Sequence, residues 1–293
     1  MNISKITVPS WAKFGIKLLV TTLCIAYLSG KIDFETTLLL IKTANPFWIL
    51  LAILFFGLSK WISAIRLQVY FKNINVHIPS KSNVKLYWLG MFYNLFLPGG
   101  IGGDAYKVIL LHKSKGYTVK SLSTAVLLDR VSGMAALGIL ATINFYFLFP
   151  DQFIGYLSIL ISSVSLVLFY QLVRKVFTSF LPGFYQTFWL GLAVQILQVA
   201  CVWSIMQAIH IEQNQMEYIL LFLSSSVVAI LPFTIGGLGA REVVFLWGSN
   251  YFTLHSETSI SISLVFYFIT VLVSLPGLYL VFKNPMEASK HTN

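Results

Sequence analysis

Apolar residues in this chain are gathered into runs, at about residues 14–30, 47–70, 86–97, 123–149, 152–172, 187–209, 218–233, 243–252 and 260–282. A helix that crosses a bilayer needs about 20 apolar residues. Six of the runs come close to that length or exceed it, whereas 86–97, 218–233 and 243–252 are shorter. The pattern therefore predicts an all-α polytopic membrane protein with about six full spans.

Two of the short runs end in a sequence that breaks a helix. Leu97-Pro98 stands at the end of 86–97, and Leu231-Pro232 stands near the end of 218–233. Glycines follow in both cases. Proline removes a backbone donor and glycine loosens a helix, so both runs should stop there. We interpret them as the first legs of two re-entrant hairpins, at 86–112 and 218–252, within a single membrane domain that covers 1–293. If the hairpins cross the membrane instead, the chain has eight spans.

The composition agrees with a membrane protein. Hydrophobic residues make up 57% of the 293 residues, charged residues make up 10%, and the mean hydropathy is +0.80. Because soluble domains carry about 25% charged residues, this composition excludes a soluble protein and makes nucleic acid an unsuitable partner. The two cysteines and five histidines show no ligand-like spacing. No metal and no cofactor is therefore expected.

The distribution of charge predicts how the chain is oriented. The formal net charge is +10. If the N-terminus is cytoplasmic and both hairpins return to the side they left, 17 of the 20 basic residues lie on the cytoplasmic side. Cytoplasmic segments of membrane proteins are enriched in Lys and Arg. We therefore expect a multi-pass protein of the cell inner (cytoplasmic) membrane with both termini in the cytoplasm.

The two helix-breaking segments resemble each other. One begins at Leu97 and reads LPGGIGGDAYK, and the other begins at Leu231 and reads LPFTIGGLGAR. Three predicted spans lie between them, so the two copies should face opposite sides of the membrane. Inverted repeats with broken helices are typical of transporters. The alternative is that both are ordinary membrane helices rich in glycine and proline.

The glycine turns are predicted to bind a phosphate. Glycines allow close approach to the backbone, and the first amides of the following helix favour an anion. Lys107 and Arg241 follow the turns and add positive charge, whereas Asp104 has the alternative role of a helix N-cap at the same amides. The predicted substrate-binding residues in and beside the turns are Asn94, Pro98, Gly99, Gly100, Gly102, Gly103, Asp104, Lys107, Pro232, Gly236, Gly237, Gly239, Arg241 and Glu242.

Further ionisable residues lie within the apolar runs. Asp129 and Arg130 are adjacent and point in different directions on a helix, so each should have another partner. Ionisable groups at depth usually mark a pathway, and we include Arg66, Asp129 and Arg130 in the substrate site. The alternative for the basic side chains is snorkelling to the interface, which we favour for Lys60. Glu242 would either pair with a basic residue across the site or belong to a local solvated pair.

The combined motifs resemble a known family. They comprise Arg66, residues 94–104, the segment STAVLLDRVSG at 123–133, and residues 235–242. In order and spacing they are similar to the transmembrane flippase domain of bacterial lysylphosphatidylglycerol synthases, the multiple peptide resistance factor, and its stand-alone relatives. The resemblance implies a protein that moves a lipid headgroup between leaflets. Lysyl transfer is not expected of this sequence alone, because it shows no counterpart of the soluble aminoacyl-transferase domain of those synthases.

The expected function is translocation, or flipping, of an anionic lipid or lipid-linked headgroup, without enzymatic activity. The expected partner is a membrane lipid, either an anionic phospholipid or a polyprenyl-phosphate-linked one. A separate soluble synthase or transferase is a second candidate partner. Two alternatives stay open. One is a membrane glycosyltransferase that uses a polyprenyl-phosphate sugar, with Asp33 and Glu35 as its acidic pair. The other is an accessory membrane subunit of a soluble synthase.

Overall fold

The structure is a computed structural model that describes residues 34–96, 102–150, 152–230 and 237–282, and in addition Leu19, Thr22 and Ala26. The predicted first span, 14–30, therefore lies almost entirely outside the described residues.

Within the described ranges all regular structure is helical. The α-helices are α1 (Phe34–Lys42), α2 (Pro46–Asn73), α3 (Ser80–Phe96), α4 (Gly102–Lys115), α5 (Val119–Leu148), α6 (Phe153–Val176), α7 (Phe184–Ala208), α8 (Gln215–Ile230), α9 (Ala240–Tyr251), α10 (Ser256–Ser274) and α11 (Pro276–Val281). A short 3₁₀ helix at Thr178–Gly183 connects α6 to α7.

In the part of the chain that the structure describes, five helical segments are long and apolar enough to cross a membrane. They are α2, α5, α6, the 3₁₀ helix continued by α7, and α10 continued by α11. The local sequence encodes the start of α2, where Pro46 occupies the first turn and the Asn45 side chain accepts a hydrogen bond of 3.0 Å from the Phe47 amide. Both features favour a helix start at this point. The prediction of an all-α polytopic membrane protein is confirmed.

The two predicted hairpins are pairs of short helices. α3 and α4 have 17 and 14 residues, and α8 and α9 have 16 and 12. At 1.5 Å per residue each leg measures about 18–26 Å, less than the roughly 30 Å of a hydrocarbon core. The first pair begins at Ser80 and ends at Lys115, so it is longer at both ends than the predicted 86–112. The short legs are the geometry that a re-entrant hairpin requires.

One hydrophobic cluster, which we call cluster A, forms where α2 and α6 end and α5 and α7 begin. Because α2 ends and α5 begins at the same cluster, the hairpin α3–α4 between them returns to the end of the molecule that it left. The hairpin itself contributes Leu86, Val108 and Leu111. The other buried members include Leu67, Tyr70, Phe71, Val76, Ile78, Leu122, Ala125, Val126, Leu128, Val173, Phe180 and Phe184.

A second hydrophobic cluster, cluster B, forms at the other end of α2. It joins the first half of α2 to the end of α7, to α10 and to the second hairpin, which contributes Tyr218, Phe222 and Phe245. The remaining buried members include Ala52, Phe56, Leu137, Cys201, Val202, Ile205, Met206, Ile262, Val265, Phe266 and Ile269. The two hairpins are therefore anchored in clusters at opposite ends of the bundle.

Helices α2 and α7 pack along each other in antiparallel orientation. The Asn45 amide donates to the Ala208 carbonyl at 2.8 Å, and at the other end the Asn73 side-chain amide donates to the Phe180 carbonyl at 3.4 Å. The order of span, hairpin and span thus occurs twice with inverted direction. We call α2–α5 the first half and α7–α10 the second half, and α6 joins them.

Candidate functional site

A polar cavity of about 340 Å³ lies between clusters A and B. It is enclosed by both halves, since α2, α3, α4 and α5 contribute to its lining together with α7, α8, α9 and α10. Five basic and two acidic side chains line it, which gives an excess of positive charge. The lining residues are Lys60, Arg66, Tyr87, Met91, Asn94, Leu95, Asp104, Lys107, Asp129, Arg130, Gly133, Met134, Leu137, Gln195, Gln198, Ser226, Ala229, Gly237, Arg241 and Thr270.

Three of the five basic side chains form ion pairs with the two acidic ones. Arg66 Nε donates to Asp129 Oδ1 at 2.7 Å, and this pair joins α2 to α5. Asp104 accepts from Lys107 Nζ at 2.9 Å and from Arg130 Nε, so a single carboxylate joins α4 to α5. Asp129 and Arg130 thus have different partners, as their adjacent positions on a helix suggested.

The guanidinium of Arg66 is accommodated by two glycines. A Cβ atom on Gly133 would lie 3.1 Å from Arg66 Nη1, and one on Gly191 would lie 3.3 Å from it. Arg66 is only 5% exposed, and its Nη1 has no hydrogen-bond partner among the described protein atoms. Gln195 donates to the Gly133 carbonyl at 3.1 Å, while its Oε1 is buried without a partner in the same part of the chain. A donor and an acceptor at this wall of the cavity therefore lack a hydrogen-bond partner among the described protein atoms.

The remaining two basic side chains, Lys60 and Arg241, are held by aromatic rings. Lys60 Nζ lies 4.5 Å from the ring centre of Phe56, and the Arg241 guanidinium carbon lies 5.0 Å from that of Phe266. Arg241 also donates to the Ser226 hydroxyl at 3.2 Å. Among the described residues neither cation forms a salt bridge. The favoured prediction that Lys60 snorkels to the interface is wrong, because its side chain lines the cavity.

The first glycine turn has a packing role that the sequence did not reveal. α3 and α4 cross where Gly90 faces Gly103, and a Cβ on Gly103 would overlap the Gly90 carbonyl oxygen. The Gly103 amide is also occupied, since it donates to Asn94 Oδ1 at 2.9 Å. Asp104 lies inside the first turn of α4, which begins at Gly102, and its carboxylate binds Lys107 and Arg130. The predicted amide seat for a phosphate at Gly103 is therefore not available, and the N-cap alternative for Asp104 is wrong.

The second glycine turn contains two residues with left-handed backbone. Gly237 and Gly239 have φ values of +87° and +85°, which residues with a side chain rarely adopt. Glu242 is 1% exposed and accepts from the Gly239 amide at 2.6 Å and from the Ser263 hydroxyl at 2.8 Å. It therefore closes the start of α9 and joins it to α10. Both predicted roles for Glu242, a basic partner across the site and a solvated pair, are wrong within the described chain.

Eight of the predicted site residues meet at the cavity: Arg66, Asn94, Asp104, Lys107, Asp129, Arg130, Gly237 and Arg241. Gly102, Gly103, Gly239 and Glu242 lie beside it without lining it. Five others, Pro98, Gly99, Gly100, Pro232 and Gly236, lie outside the described residues, as does Asp33.

Several polar lining residues were not predicted. They are Lys60, Tyr87, Gln195, Gln198, Ser226 and Thr270. One available signal was the spacing of Gln195 and Gln198, which lie three residues apart in an otherwise apolar run and so share one face of α7.

The comparison with known families covers most of the chain. Residues 15–277 match the family model described as the lysylphosphatidylglycerol synthase TM region. The chain belongs to this family. The match includes every residue that lines the cavity and both hairpins. A multi-pass membrane location follows from the family and from the five apolar helices.

One curated relative is the UPF0104 membrane protein PH1989 of Pyrococcus horikoshii. It is 35% identical over 100 residues, which make up 33% of this chain and 30% of that protein. The chain therefore aligns with less than a third of the length of this relative. The name of this relative describes a membrane protein and assigns it no activity.

Proposed function

We propose that this protein translocates an anionic lipid or lipid-linked headgroup across the cytoplasmic membrane. The observation that carries the proposal is the charge of the central cavity, where five basic side chains and two acidic ones surround about 340 Å³. A charged headgroup is costly to move through hydrocarbon, and a polar cavity within a membrane protein lowers that cost. The excess of positive charge favours an anion over a cation or a neutral group.

The arrangement of the two halves supports transport rather than simple binding. Broken helices in inverted repeats bring their loops toward the middle of the membrane, and rocking of one repeat against the other exposes the site to each side in turn. Here the hairpins are anchored in clusters A and B at opposite ends of the bundle. Both hairpins contribute to the lining of the same cavity.

The outer surface suits the apolar chains of a lipid. α6 exposes large apolar side chains along its length, among them Phe153, Leu160 and Leu168. The acyl or prenyl chains of a substrate would stay in contact with bilayer lipid while its headgroup enters the cavity. A lipid therefore needs no apolar tunnel through this protein.

The charge at the two ends supports a cytoplasmic position for cluster A. The exposed basic residues at that end are Lys72, Lys81, Lys85, Lys113, Lys120, Arg174 and Lys175. The opposite end carries Glu212, Glu217 and Glu257 in the connections and first turns around α8 and α10. The enrichment of Lys and Arg on the cytoplasmic side favours this orientation.

Reconstitution in vesicles tests the proposal. The purified protein is incorporated with fluorescent phosphatidylglycerol, fluorescent phosphatidylcholine or a labelled polyprenyl phosphate, and a membrane-impermeant quencher reports the outer leaflet. We expect faster leaflet exchange of the anionic lipids than in protein-free vesicles, and little exchange of phosphatidylcholine. Absence of protein-dependent exchange for every anionic lipid would refute the proposed function.

A steric substitution within the cavity provides the matched control. Met134 lines the cavity from α5, and Leu127 lies seven residues earlier on the same helix, exposed and away from the lining. Met134→Trp should fill the cavity and slow exchange, whereas Leu127→Trp should leave exchange unchanged. Equal exchange by both variants would show that the headgroup does not pass through this cavity.

A further inference from the structure

Two of the basic side chains that line the cavity form no salt bridge among the described residues. Arg66, Lys107 and Arg130 share the carboxylates of Asp129 and Asp104. Lys60 and Arg241 form no salt bridge among the described residues. These two cations therefore lack, within the described part of the chain, the carboxylate partner that the other three lining cations have.

A cluster of three phenylalanines brings these two cations together. Phe56 and Phe266 pack edge to face with ring centres 5.4 Å apart, and Phe222 packs against Phe266 at 4.8 Å. Lys60 lies over Phe56, and Arg241 lies over Phe266. A ring face attracts a cation without neutralising it. The aromatic cluster thus positions both cations without supplying a counterion.

Two such charges in one place are unfavourable without a counterion. Lys60 and Arg241 lie over two rings that pack against each other, so their positive charges are close enough to repel. Like charges repel more strongly in a poorly hydrated interior than in water. Among the described residues a carboxylate forms a salt bridge with Arg66 but with neither Lys60 nor Arg241. An arrangement of this kind is stabilised by an anion that enters from outside.

We propose that Lys60 and Arg241 form a phosphate-binding subsite. The inference rests on the proposed function, because it identifies phosphate as the part of the headgroup that this cavity binds. A guanidinium presents a planar fork of donors that matches phosphate oxygens, and an ammonium adds a compact charge. The Ser226 hydroxyl, already in contact with Arg241, lies at the same wall and supplies a further polar contact.

This subsite differs from the one that the glycine turns suggested. It uses side chains of α2 and α9, one from each half, instead of the amides at the start of α4. The Gly103 amide has Asn94 as its partner, and Lys107 has Asp104. The first hairpin therefore shapes the cavity, while the free charge comes from Lys60 and Arg241.

Binding to the purified protein in detergent tests the subsite independently of transport. The probes are dioctanoyl phosphatidic acid, dioctanoylglycerol, which lacks the phosphate, and inorganic phosphate. The variants are Lys60→Gln and Arg241→Gln. The matched control is Lys72→Gln, which removes an exposed charge from the same helix as Lys60.

We expect the parent protein and Lys72→Gln to bind dioctanoyl phosphatidic acid and not dioctanoylglycerol. Lys60→Gln and Arg241→Gln should each weaken binding about tenfold or more, the loss expected for one charge-assisted hydrogen bond. Lys60→Arg keeps the charge and should retain most of the affinity. Binding of inorganic phosphate that is as tight, and lost in the same variants, would support the subsite and identify free phosphate as its ligand.

The thermal stability of the variants separates a binding role from a structural one. Removing one of two like charges relieves repulsion, so the unfolding midpoint of Lys60→Gln without ligand should equal or exceed that of the parent.

A folded Lys60→Gln and a folded Arg241→Gln that both bind dioctanoyl phosphatidic acid with unchanged affinity would overturn the subsite. If lipid exchange in vesicles persisted in that case, only the subsite would fail. If binding depended on both residues but no anionic lipid exchanged, only the proposed function would fail.

Discussion

The crossing of α3 and α4 makes Gly103 one of the least tolerant positions in the described chain. In Gly103→Ala the new methyl carbon would overlap the Gly90 carbonyl oxygen and lie 2.6 Å and 2.7 Å from the Gly90 carbonyl carbon and Cα. Normal contact needs about 3.5–4.0 Å, and the carbonyl oxygen is the nearest obstacle, so the two helices would have to separate by more than about 1 Å. The obstacle is backbone and cannot rotate away. We therefore expect a loss of about 1–3 kcal/mol in the free energy of unfolding, the usual range for overpacking.

Gly138→Ala in α5 is the matched control for this substitution. A Cβ at Gly138 would meet no heavy atom within 4 Å. Replacing an unconstrained helical glycine by alanine should stabilise a helix by about 0.5–1 kcal/mol, although the bilayer moderates such preferences. Unfolding of both variants by heat or by increasing sodium dodecyl sulfate, followed by circular dichroism, measures the difference. Equal midpoints for Gly103→Ala and Gly138→Ala would refute the tight crossing.

Two further predictions concern the ion pairs and the orientation. Asp129→Asn should destabilise the protein by about 3–5 kcal/mol, because it leaves the buried Arg66 guanidinium without its partner. The double variant Asp129→Asn with Arg66→Met should recover part of the loss. An unfolding midpoint of Asp129→Asn equal to that of the parent would contradict the pairing. A cysteine in place of Lys81 should be shielded from an impermeant external thiol reagent and one in place of Glu257 should react, whereas the opposite labelling would invert the orientation we propose.

The sequence predicted the elements whose signal is local. Long apolar runs mark the spanning helices, and Leu-Pro followed by glycines marks the point where each hairpin turns. The distinct partners of Asp129 and Arg130 were also predictable, because adjacent residues of a helix cannot face the same neighbour. These features depend only on residues within a few turns of each other.

The sequence could not predict features that depend on which helices meet. Lys60 has the surroundings of a snorkelling lysine when α2 is considered alone, and it lines a cavity only because α9 brings Arg241 to the same place. Gly103 looks like a ligand-binding glycine until α3 places Gly90 against it. Glu242 gains its second partner, Ser263, from a helix that begins fourteen residues later. Each of these roles is set by tertiary contact.

The three phenylalanines beneath Lys60 and Arg241 join the two halves, since Phe56 belongs to α2 while Phe222 and Phe266 belong to α8 and α10. An anion that contacts both cations therefore bridges the boundary between the two halves. By thermodynamic linkage, the binding free energy that the anion gains from contacting both halves is added to the free energy needed to separate the two halves. Tight binding in this arrangement would slow any motion that opens the boundary, so efficient turnover requires an affinity that is only moderate.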